Sequence, residues 1–135
     1  MKTDGSGLRQ LTSVGAMGHF IRWLADGYVY FRSPSSAKVL RVLAAGGAAP
    51  EVLGAEAGSH ISFSPDGSRL IDVRGHKALW VSSIGGEARK VFEFSDADVR
   101  IDYPVWAPEG RSVLFDWFKP KEGDLWLAEG VRGSE

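Results

Sequence analysis

The chain writes the same short phrase three times, and this repetition limits its fold more than any other feature. Trp23-Leu24-Ala25-Asp26-Gly27 returns as Phe63-Ser64-Pro65-Asp66-Gly67 and again as Trp106-Ala107-Pro108-Glu109-Gly110. Each copy is an aromatic, two small or apolar residues, a carboxylate and a glycine. Trp23 precedes Phe63 by 40 positions, and Phe63 precedes Trp106 by 43. Periods of this length arise when one supersecondary unit, unable to bury its apolar faces alone, is stacked on copies of itself.

The surroundings repeat as well. A short run comes before each phrase: Phe20-Ile21-Arg22, Ile61-Ser62, and Tyr103-Pro104-Val105. A β-rich run follows it: Tyr28 to Phe31, Leu70 to Val73, and Val113 to Trp117. A third run is Val39 to Val42, Leu79 to Val81, and Leu125 to Leu127. In the first two copies a Gly-Gly pair, Gly46-Gly47 and Gly85-Gly86, leads to a fourth run around Val52-Leu53 and Val91 to Phe94. The turn chemistry suits hairpins. Proline presets the first central turn position, Asp bonds nearby amides, and glycine takes the left-handed position that other residues avoid. Ala44 to Gly58 is alanine-rich, but five interrupting Gly and Pro residues exclude a stable helix. Four short strands per unit of about 40–45 residues is the pattern of a propeller blade. The expected fold class is therefore all-β, with three four-stranded antiparallel blades, half of a six-bladed ring.

These residues resemble a known family. Ile61-Ser62-Phe63-Ser64-Pro65-Asp66-Gly67-Ser68-Arg69-Leu70 is similar to the core of the TolB-type, WD40-like propeller repeat. Tyr103 to Gly110 follows it closely, while the first copy has Leu24-Ala25 in place of Ser-Pro. Asp4 to Thr12 looks like the end of a further repeat, whose Arg-x-Leu-Thr run forms the outermost strand. The resemblance implies a propeller that binds partners or gates access. In relatives that are prolyl-oligopeptidase-like, hydrolysis occurs in a separate domain. Family members are often periplasmic; the sequence itself assigns no compartment.

The expected division is residues 1–17 as an outer strand completing another blade, 18–59 as blade 1, 60–101 as blade 2, and 102–135 as a blade 3 lacking its outer strand. A spare strand at one end and a missing one at the other are complementary. Two chains exchanging Leu8, Arg9, Gln10, Leu11 and Thr12 would make a six-bladed homodimer; a fragment of a longer propeller is the competing expectation.

Composition removes several functions. The 135 residues carry a net charge of -1, so no basic excess exists for nucleic acid or for a membrane surface. There is no cysteine, which excludes thiol chemistry and cysteine-ligated zinc. No Gly-x-Ser-x-Gly nucleophile elbow occurs, and no glycine-rich segment ends as a phosphate loop does. Asp26, Asp66 and Glu109 recur at equivalent turns, which places them a blade apart and gives them a turn-stabilising role. Ser33, Ser35, Ser36, Ser82 and Ser83 lie in turn- or strand-like sequence with no assignable histidine–acid partner. The expectation is a non-catalytic scaffold for protein or ligand recognition, with no cofactor and no metal. The alternative is an accessory propeller fragment of a prolyl-oligopeptidase-like serine hydrolase. His19 and His60, expected just before the first strands of successive blades, and Tyr103 are candidate contacts at the channel mouth. No two histidines have the local spacing of a metal site. Trp117 and Phe118, expected at the last blade's hairpin, are candidate partner contacts, since successive strand residues face opposite ways.

Overall fold

Alternating apolar residues, cut by Gly and Pro at regular intervals, produce eleven strands and no helix among the described residues. The computed structural model describes residues 2–120 and 122–130. The first sheet contains β1 (Met17–Trp23), β2 (Tyr28–Arg32), β3 (Lys38–Leu43) and β4 (Glu51–Glu56). The second contains β5 (His60–Phe63), β6 (Arg69–Arg74), β7 (Ala78–Ser83) and β8 (Arg89–Glu93). The third contains β9 (Arg100–Trp106), β10 (Val113–Lys119) and β11 (Glu122–Ala128). Within each sheet the strands follow one another in chain order and pair antiparallel.

The repeated phrase makes the same hairpin each time. The amides of Gly27, Gly67 and Gly110 donate to the carbonyls of Leu24, Ser64 and Ala107, at 3.2, 2.9 and 2.9 Å. All three glycines have positive φ, between 68° and 82°, where a side chain is strained. The Gly-Gly pairs lie between β3 and β4 and between β7 and β8.

Two apolar seams join the sheets. Tyr30 and Val39 of the first meet Ile61, Phe63 and Leu70 of the second. Ile71, Val73, Leu79 and Val81 of the second meet Ile101, Trp106, Val113 and Phe115 of the third. The aromatic before the turn is central to each seam. The Phe63 ring packs tilted against Tyr30 with centroids 5.2 Å apart, and the Trp106 indole N–H donates to the Ser62 carbonyl at 3.3 Å. Arg69 lies 4.7 Å over the Trp106 ring and donates to the Gly110 carbonyl at 2.5 Å. Trp23, at the same repeat position, is surrounded differently. It is 71 % exposed, whereas Phe63 and Trp106 are each 6 % exposed. The reason is positional: among the described residues no sheet packs on that face of the first one.

Leu8 to Thr12, expected to pair with a second chain, form no strand in the single chain. Leu11 instead packs on a third apolar cluster, Phe31, Leu40 and Val42, on the open face of the first sheet. The Arg9 guanidinium anchors the segment by donating to the carbonyls of Ala44 and Ala45.

Candidate functional site

The first strand of each blade, β1, β5 and β9, stands next to its counterpart, and together they line a groove of about 320 Å³. Its walls include Phe20 and Ile21 of β1, Ile61 and Phe63 of β5, and Tyr103 and Val105 of β9. Ile21, Tyr103 and Val105 are all exposed there. Each of these strands is also a sheet edge, so Pro104 sits in β9 at no cost to the ladder.

Beside Tyr103, three polar side chains converge. His60 opens β5, His76 lies in the turn between β6 and β7, and Asp102 is in β9. Nδ1 of His76 lies 2.8 and 2.9 Å from the two Asp102 carboxylate oxygens. Nδ1 of His60 lies 3.5 Å from Oδ1 of Asp102. The two imidazoles approach edge to face, with centroids 5.9 Å apart. One ligand atom from each of the three residues can be chosen so that all lie within 4.8 Å of one another.

The surrounding backbone holds this arrangement. The Ile101 amide donates to the His76 carbonyl at 2.8 Å, tying the turn to the strand that carries Asp102. The Asp102 amide donates to the Asp116 carboxylate at 2.6 Å, where the pairing of β9 with β10 shifts register. His76 and Tyr103 have φ of 56° and 45°, unusual for residues other than glycine. The Tyr103 ring stands 4.4 Å from His60, and its amide donates to His60 Nδ1 at 3.3 Å.

The structure therefore brings together two of the three expected channel-mouth residues, His60 and Tyr103. His19 lies within β1 rather than before it, because β1 starts at Met17, and its side chain falls outside the described residues. Trp117 and Phe118 are strand residues rather than hairpin residues, because β10 continues to Lys119. They do face opposite ways. Trp117 packs on the second seam and lies 6.1 Å from Trp126, while Phe118 is 52 % exposed. Sequence reasoning missed His76 and Asp102 as companions of His60. The three are 16 and 26 residues apart, and only the return of each blade to the same rim brings them together.

No family model matches the sequence, and no match is found among curated proteins. Among solved structures, a candidate TolB from Agrobacterium tumefaciens superposes with a TM-score of 0.58 at 17 % identity. That match covers 78 % of this chain and 40 % of the other. A chain of a nidogen/laminin complex matches with a TM-score of 0.53 at 14 % identity, covering 84 % of this chain and 49 % of that one. At such identities the likeness is one of fold. The chain spans less than half the length of either structure.

Proposed function

We propose that this chain, which has a TolB-like β-propeller fold, is a non-catalytic recognition scaffold that works as part of a closed ring made with a second copy of itself. One observation carries the reading. Leu53 of β4 packs into the first seam and Val91 of β8 into the second, each an outer-strand residue resting on the next blade. Leu11 rests on the first blade in the corresponding way. This packing supports reading the segment around it as the outer strand of a preceding blade, although it forms no ladder in one chain. At the other end β11 is the third strand of a sheet with no fourth among the described residues. In a two-chain ring each N-terminal segment pairs with the partner's β11, and each open blade face is covered.

Closure also gives the groove its role. The apolar residues of β1, β5 and β9 would line a central channel, with His60 and Tyr103 at its rim, where propellers receive ligands. Light scattering on the purified chain tests the assembly. The expected mass is that of two chains, falling to one after removal of residues 1–12. A strict monomer at micromolar concentration, or a dimer unchanged by that truncation, overturns the reading.

A further inference from the structure

We propose that His60, His76 and Asp102 bind one divalent transition-metal ion at the rim of the seam between the second and third blades. All three ligands belong to one chain, so the proposal stands independently of ring closure.

The donor set is the first argument. Two imidazole nitrogens and one carboxylate suit zinc, cobalt, nickel or copper, whereas calcium and magnesium require mostly oxygen. The spacing is the second. Zinc bonds near 2.1 Å in a tetrahedron set donor atoms about 3.4 Å apart. Here the carboxylate lies 2.8 Å from one imidazole nitrogen and 3.5 Å from the other, so an ion enters after small side-chain rotations.

The third argument is the support around the ligands. An ion at His60 Nδ1 takes the one in-plane lone pair that otherwise accepts the Tyr103 amide, so it replaces that long 3.3 Å hydrogen bond. The rigid supports are already in place, since the Asp116 carboxylate holds the Asp102 amide and the His76 carbonyl holds that of Ile101. The side chains are partly open, with His76 42 % exposed, so the ion keeps coordination positions for water or for a group of the bound ligand.

The test uses the full untagged chain, stripped with chelator. Cobalt(II) titration followed by visible absorption should saturate at one equivalent, and zinc should displace it. His76→Ala and Asp102→Asn should each weaken cobalt binding at least about tenfold. Glu51→Gln, at an exposed carboxylate on the outer strand of the first blade, should not. The chain has only three histidines. Imidazole NMR signals therefore give a reading that needs no variant: zinc should shift those of His60 and His76 and leave His19 unmoved. No saturable binding, perturbation of His19 alone, or undiminished affinity in a folded Asp102→Asn chain overturns the proposal.

Discussion

A single carboxylate can hold a hairpin closed, and Asp66 does so with neighbours two residues away on either side. It accepts from the Ser64 hydroxyl at 2.6 Å and from the Ser68 amide at 3.0 Å and hydroxyl at 2.9 Å. The Ser64 hydroxyl first, then the amide and hydroxyl of Ser68, pull its carboxyl down to about 2 from the ordinary 3.8. A folded value below the unfolded one means the stabilisation is complete above about pH 4 and is lost as pH falls toward 2. Asp66→Ala should therefore cost about 1 kcal/mol at neutral pH, the net worth of ordinary hydrogen bonds at an exposed turn. Urea melts at pH 7 and pH 2 check this: the gap between variant and parent should shrink in acid. An equal gap at both pH values would show that the charge is not the cause. This role was legible in the sequence, since a carboxylate two residues after a serine and one before a glycine has few other uses. The meeting of His60, His76 and Asp102 was not. Nothing local marks it, and it depends on two turns and a strand register that only the folded sheets supply.

At the level of strands, the link from the first blade to the second leaves no room for a side chain at one position. Gly58 lies in the short link from β4 to β5, and its amide donates to the buried Asp72 carboxylate at 2.9 Å. Asp72 is also held by the Arg74 guanidinium at 2.8 Å, so the buried charge is paired. A Cβ at Gly58 would fall 1.9 Å from the Val73 carbonyl oxygen and 2.8 Å from an Asp72 oxygen. The Val73 carbonyl also accepts the Ser59 amide at 3.1 Å, so backbone cannot move aside there without disturbing the start of the β5–β6 pairing. Gly58→Ala should cost about 1–3 kcal/mol or more, as overpacking does, read as a lower urea midpoint. A variant as stable as its parent would show that the link yields. The strands themselves were readable from their alternation and their spacing. What the sequence hid was this close approach, because Gly58 lies in an alanine- and glycine-rich stretch where it looks like one breaker among several. The N-terminal segment, expected as an outer strand, forms no ladder in the single chain and packs through Leu11 on the first sheet, a contact that nothing local in the sequence marks.

Across the whole molecule, equivalent residues have unequal surroundings, and the inequality is informative. Trp106 and Trp23 hold the same repeat position, yet the first is buried in a seam and the second lies in solvent. Trp106→Ala should cost about 3–5 kcal/mol in a urea melt, the penalty for emptying a packed aromatic site. Trp23→Ala should leave the isolated chain's stability nearly unchanged and instead raise the concentration at which light scattering detects association. Equal losses of folding stability at both positions would mean that the open face of the first blade is already covered within one chain.

The uniform seam has an evolutionary corollary. Both joints between the described sheets use like parts, an outer-strand residue in the seam and an aromatic set before a turn. A gene could therefore gain or lose whole modules without redesigning any contact, whereas an insertion of half a module would leave one joint with mismatched surfaces. The circumference of such an assembly changes only in discrete increments, each about forty codons long.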